Sequence, residues 1–258
     1  MLIKHAYGSL RVEYCIGYIL VGACIGFLSG IFGIGGSLIS TPILRLLFGM
    51  PEMLALATPL PVTIPTAISG AYSYWRRGLV RKRISAFSII GGLPATVVGA
   101  YLTKFVSGSL LMVFTGVFVI IVGLRMLFAS RLHNSNIKFS QSFLAFVSGI
   151  LAGFMSGFLA IGGGIVLVPA YIIILGLSMQ EAAASSLICI AFFAVPGTIV
   201  HCMLGHVAWK VVLCLSAGVI PASYLGAMFG MSVKSKPLQI AFSIFLILFG
   251  AYFIFKQC

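Results

Sequence analysis

The chain has 258 residues, 61% of them hydrophobic and only 7% charged, with a mean hydropathy of +1.20. That composition excludes a soluble globular domain and leaves an integral membrane protein. The formal charge of +13 does not signal a nucleic-acid partner, because the basic residues sit mostly in short segments between apolar runs, the positive-inside pattern of membrane chains.

Residues 1–13 carry Lys4 and Arg11, and the apolar segment after them is long and lacks a small-residue cleavage site, so it reads as a retained first span. From Tyr14 onward, apolar runs long enough to cross a ~30 Å hydrocarbon core recur to the C-terminus. The sequence therefore predicts an all-α polytopic protein, with residues 1–258 forming a single membrane domain. The cationic stretches "RRGLVRKR" at 76–83 and "SRLHNSNIK" at 130–138 are expected in the cytoplasm. Cys15, Cys24, Cys189, Cys202, Cys214 and Cys258 contain no CxxC and read as small hydrophobes rather than a disulfide framework.

Sliding the chain over itself so that Gly36 falls on Gly163 aligns "GFLSGIFGIGG" with "GFMSGFLAIGG", and the register then holds without a gap. This is an internal duplication. Pro42 meets Pro169, Gly49 meets Gly176, Thr58 meets Ser185, Gly78 meets Gly205 and Pro94 meets Pro221. Gly and Pro dominate the identities, as a common backbone geometry requires. Repeat 1 covers 14–129, repeat 2 covers 141–256, and 130–140 is the loop between them. Each repeat holds four long segments and one short glycine-led piece, at about 35–49 and 162–176, too short for a full crossing of about 20 residues. The count is thus four to five helices per repeat. Four make the repeats parallel and five make them inverted; eight spans, and so parallel repeats, is the expectation.

Irregular backbone at membrane depth must be buried in protein or line a wet cavity. In "GIGGSLISTP" and "AIGGGIVLVP" the glycines precede a short helical piece whose first N–H groups and positive dipole end suit an anion. Gly26 and Gly30 are read as close-packing positions, since small residues let membrane helices approach. The three prolines of "TPLPVTIPT" at 58–66 are expected to disturb the third segment. Among the hydroxyls, Thr58 and Ser185 either bind substrate or satisfy local backbone.

Paired "GxxxIGG" motifs followed by proline, one per half on a chain of this length, resemble the TauE/SafE sulfite exporter family, and the likeness runs from about residue 14 to 256. Its motif falls here on Gly30, Gly33, Gly35, Gly36 and Pro42, and on Gly157, Gly162, Gly163, Gly164 and Pro169. Ala160 stands where a glycine is expected opposite Gly33, and Ser37 stands opposite Gly164. The resemblance implies a secondary transporter of the cell inner membrane for a sulfur-containing or organic anion, with the lipid bilayer as its surroundings, and alternating access between the two repeats is the expected mechanism. It leaves room for a coupling ion, H+ or Na+, and for a homo-oligomer. The expected substrate-binding set is Gly33, Gly35, Gly36, Ser37, Thr41, Thr58, Gly162, Gly163, Gly164 and Ser185. Gly30, Gly157, Pro42, Pro169, Pro94 and Pro221 are expected to shape the backbone.

The acids Glu13, Glu52 and Glu181 all fall at segment edges, which speaks against a carboxylate proton relay or cation cage. Arg45 either neutralises a substrate anion or snorkels to the interface. His201, Cys202 and His206 in "HCMLGH" are not spaced as a ligand set, so no metal or cofactor is expected, and His201 has a proton role or a plain segment-end role. Two other functions stand beside transport: an intramembrane hydrolase using Ser37 with His201 or His206, and a non-transporting scaffold. No catalytic residue is assigned.

Overall fold

The computed structural model describes residues 12–129 and 140–255, all helix and connecting turn. The expected loop at 130–138, with Lys4, Arg11 and Cys258, lies outside the described residues. In chain order the helices are α1 (Val12–Phe32), α2 (Ser37–Leu46), α3 (Glu52–Ala57), α4 (Pro59–Trp75), α5 (Lys82–Leu102) and α6 (Gly108–Ala129). There follow α7 (Gln141–Leu159), α8 (Gly164–Ile173), α9 (Met179–Met203), α10 (Trp209–Ser232) and α11 (Ser235–Phe255). Helices α3 and α4 form one membrane-length rod, Glu52–Trp75, jointed at Thr58. The prolines disturb it less than their number suggests: Pro59 sits at the helix start, where its missing N–H has no partner to lose, and only Pro65 lies well inside. Seven helices or helix pairs among the described residues are long and apolar enough to cross a membrane, and α6 runs 22 residues.

Four-residue glycine spacing dictates how the rods pair. A Cβ at Gly22, Gly26 or Gly30 of α1 would stand 2.5, 2.6 or 2.1 Å from the carbonyls of Leu215, Val219 and Ser223 on α10. The same stripe recurs on α7, where a Cβ at Gly149, Gly153 or Gly157 would meet the carbonyls of Ser88, Gly92 and Thr96 on α5 at 2.1, 2.2 and 2.1 Å. Both stripes let backbones touch where side chains would hold them apart. Each pair joins a helix from one half of the chain to one from the other.

The order of these contacts fixes direction. Helix α1 runs parallel to α10, and α5 parallel to α7. Helix α4 opposes α9, with Gly70 beside Leu187 and Gly197 beside Leu60. It runs with α10, since Thr58 meets Ala208 at one end and Tyr74 meets Gly230 at the other. Helix α9 runs with α5, through Ser85 beside Ser185 and Gly92 beside Phe193. Hence α1 and its counterpart α7 point in opposite directions. The expectation of parallel repeats is overturned: the halves run inverted. The short α2 is the reason, since it turns the chain back until Phe48 stacks on Tyr18 of α1, with ring centroids 4.1 Å apart.

One end of the bundle therefore gathers Arg76, Arg77, Arg81, Lys82, Arg83, Lys234 and Lys236. The opposite end holds the start of α1, Lys104, His206 and Lys210. It also carries a disulfide, Cys15–Cys214, tying α1 to α10. The reading of every cysteine as a small hydrophobe is corrected for this pair. The helical pairing brings together two residues that sequence spacing alone leaves far apart.

Candidate functional site

Both helix breaks lie in the middle of the bundle and are buried without interruption, over residues 29–42 and 159–165. The chain leaves helical geometry at Gly33 and Gly35, with φ of +71° and +70°, and at Ala160, Gly162 and Gly163, with φ of +53°, +78° and +75°. Ala160 takes the left-handed conformation that its glycine counterpart takes, so the departure from the motif leaves the break intact at the expense of strain on a residue with a Cβ. Each break feeds a ten-residue helix, α2 or α8, whose glycine N-cap, Gly36 or Gly163, offers no side-chain acceptor to the first-turn N–H groups.

The two breaks touch. A Cβ on Gly164 would stand 2.6 Å from the Ile34 Cα, and one on Gly162 would stand 2.9 Å from the Ser37 Oγ. Gly35 closes against Thr63 and Ile190, Gly36 against Ile25, and Gly163 against the Ala152 carbonyl and the ring of Phe193. Ser186 of α9 donates to the Gly33 carbonyl at 2.7 Å, fixing the first break from the opposite half. The expected residues Gly33, Gly35, Gly36, Ser37, Gly162, Gly163 and Gly164 are thus brought together.

The hydroxyls divide sharply. Thr41 donates to the Ser37 carbonyl at 3.0 Å, and Ser40, Thr63 and Thr66 likewise bond the carbonyl four residues back, so these are spent within their own helices. Ser37 Oγ is fully buried with no partner, and so are Ser29 Oγ and Ser156 Oγ at the last turns of α1 and α7. A buried hydroxyl without a partner costs about 1–3 kcal/mol, and these three lie within the breaks or in the helical turn before them. Ser29 and Ser156 were not anticipated from the sequence, although they match each other in the duplication register.

Thr58 and Ser185 are elsewhere. Thr58 Oγ1 accepts from the Ala208 N–H at 3.1 Å at one end of the bundle, and Ser185 Oγ accepts from the Arg81 N–H at 3.0 Å at the other. Both clamp a loop of the opposite half. Arg45 is also away from the breaks, donating to Glu52 and to the Met50 carbonyl, each at 3.0 Å, across the turn from α2 to α3. Glu181 completes a capping box with Ser178 at the start of α9 and pairs with Arg81. No charged side chain among the described residues enters the break region, and no group of three or more His, Cys, Asp or Glu gathers among them.

His201 is buried, with Nε2 3.3 Å from the Gly157 carbonyl, and its Nδ1 has no partner. The His206 ring lies 5.9 Å from it, in the turn beyond α9, where burial pushes its imidazole below the ordinary value.

The sequence profile described as "Sulfite exporter TauE/SafE" matches residues 18–253. The chain belongs to this family. The TauE/SafE match spans both helix breaks. Among its relatives is "Probable membrane transporter protein YunE" of Bacillus subtilis, 26% identical, with 92% of this chain and 96% of the relative covered. Another Bacillus subtilis relative, "Probable membrane transporter protein YdhB", is 31% identical, with 82% and 88% covered. The archaeal "Probable membrane transporter protein MJ0441" of Methanocaldococcus jannaschii is 28% identical, with 91% and 93% covered. This TauE/SafE chain is accordingly a multi-pass membrane transporter.

Proposed function

We propose that the protein is a secondary transporter of a small oxyanion, sulfite or an organosulfonate, which binds between the two helix breaks. One observation carries the reading: two buried, glycine-broken backbones from opposite halves meet with Ser37 between them and Ser29 and Ser156 in the turns before them, all three hydroxyls unpartnered, and no carboxylate among the described residues intrudes. Uncapped N–H groups and hydroxyl donors suit an anion, and buried carboxylates would repel one. The two halves are taken as structural repeats, 14–129 and 141–256, with the substrate at their contact.

The cationic end is assigned to the cytoplasm by the positive-inside rule, which puts the start of α1, the end of α11 and Cys15–Cys214 on the outer face of the cell membrane. The disulfide supports that assignment independently, since such bonds persist in oxidising compartments.

A hydrolase reading finds no support in the geometry. Ser37 Oγ has no hydrogen-bonded base, and His201 Nε2 is turned to the Gly157 carbonyl.

Proteoliposomes of purified protein, loaded in turn with sulfite, sulfate, sulfoacetate, taurine and acetate, test the proposal by counterflow. Saturable flux of a sulfur oxyanion that Ser37→Ala weakens by about tenfold supports it, the loss expected when a hydrogen bond to an anion is removed. Flux confined to cations, or equal flux for every solute, overturns it.

A further inference from the structure

At the cationic end, the first turns of α5 and α7 border an open cavity of about 560 Å³ whose wall is formed by Val80 to Ile84, which include Arg81, Lys82 and Arg83, and by Ser140, Gln141 and Ser142. A second hollow of about 380 Å³ shares Ser140 and Ser142 and continues down the outer side of the same two helices, lined by Phe87, Ile90, Phe143 and Phe146. Phe87, Ile90 and Phe143 are exposed on the outer side of the membrane-length helices α5 and α7. A cationic chamber and an aromatic groove thus share Ser140 and Ser142 on their walls. We propose that the pair is a binding site for one anionic phospholipid, its phosphate held by Lys82 and Arg83 and one acyl chain laid along Phe87, Ile90, Phe143 and Phe146.

Charge and depth both favour this occupant. Arg81 is matched by Glu181, and no carboxylate among the described residues lines the chamber, so the cations of Lys82 and Arg83 are left to an outside anion. Arg83 has no ion pair or side-chain hydrogen bond among the described residues. Lys82 Nζ rests 4.7 Å from the ring centroid of Trp75, a half-exposed indole at the end of α4. Indoles at such positions mark the headgroup level of a bilayer, so the chamber lies at phosphate depth and the groove at acyl depth. Basic pockets between membrane helices recognise anionic headgroups for this reason. A free phosphate would fill the chamber and leave the groove without a role.

The test is binding to the purified full-length protein in neutral detergent, followed by native mass spectrometry and thermal unfolding, with phosphatidylglycerol, phosphatidylcholine or inorganic phosphate added. The expected result is saturable stabilisation by phosphatidylglycerol alone. Lys82→Gln/Arg83→Gln weakens it by about tenfold or more, since each basic residue near a membrane surface contributes roughly a factor of five. Ile90→Trp, which fills the groove and leaves the charges, weakens it too, and Lys236→Gln at the same end does not. Equal stabilisation by inorganic phosphate, or no effect of Ile90→Trp, assigns the chamber to a free anion and overturns the lipid. Equal losses in Lys236→Gln reduce the effect to a diffuse basic surface and also overturn it, as does the absence of a phosphatidylglycerol effect. These readouts do not involve the transported solute, so they stand or fall apart from the transport proposal.

Discussion

Tyr74 and His201 brace the same point on opposite helices. Tyr74 Oη donates to the Gly30 carbonyl at 3.1 Å, and His201 Nε2 lies 3.3 Å from the carbonyl of Gly157, the residue that matches Gly30 in the duplication register. Each brace holds the last turn of a helix before its break. His201 thereby has a structural duty that a proton carrier would have to abandon on every cycle. His201→Gln, which keeps a donor, is expected to hold its melting temperature within about 1 °C, whereas His201→Phe leaves a buried carbonyl unpaired and lowers it by about 2–6 °C. Thermal unfolding checks this, and the pH profile of flux in His201→Gln is expected to match that of the parent.

Bulk at the meeting of the breaks is expected to stop transport. Gly162→Ala combines a left-handed backbone, φ +78°, with a Cβ 2.9 Å from the Ser37 Oγ, while Gly36→Leu drives a side chain into Ile25. Strain of about 1–2 kcal/mol at Gly162 leaves membrane insertion intact. Flux is expected to fall by at least about tenfold in both variants, because a side chain there occupies the space proposed for substrate. Proteoliposome flux, normalised to inserted protein, is the measurement.

His206 makes the disulfide-bearing end of the bundle acid-sensitive. Its folded imidazole titrates below the ordinary value of about 6.5 because burial disfavours the cation. The unfolded chain therefore takes up the proton first as pH falls. The contribution of this group to stability is fully present above about pH 6.5 and is lost as pH drops through the depressed value. Subtracting the His206→Asn stability curve from the parent curve between about pH 7 and 5 is expected to leave a positive slope with pH.

Reduction of Cys15–Cys214 is expected to lower stability by about 2–5 kcal/mol, because the bond closes a loop across a sequence separation of 199. Cys15→Ser and Cys214→Ser should give the same melting temperature as each other. In intact cells, an impermeant reductant is expected to change the electrophoretic mobility of the parent chain, which places the bond on the outer face.

The broken backbone was legible because glycine is the residue that tolerates positive φ, and Gly33, Gly35, Gly162 and Gly163 all adopt it. The close-packing role of Gly26 and Gly30, and the place of Glu181 in the first turn of α9, were legible for similarly local reasons. What escaped was relational. Thr58 and Ser185 match in sequence, yet inversion of the halves puts them at opposite ends of the bundle, so they never share a site. Cys15 and Cys214 carry no spacing signal, since only the α1–α10 pairing makes them neighbours. Ser29 and Ser156 were passed over because a serine between apolar residues is ordinary; its lack of a partner appears only once the helices around it are packed.

The exchange of partners, α1 with α10 and α5 with α7, means that the two halves of the sequence are clasped like interlaced fingers. Neither half can swing as a body without tearing its glycine seams, and the disulfide bolts one of those seams shut. The units that move against each other must each be drawn from both halves.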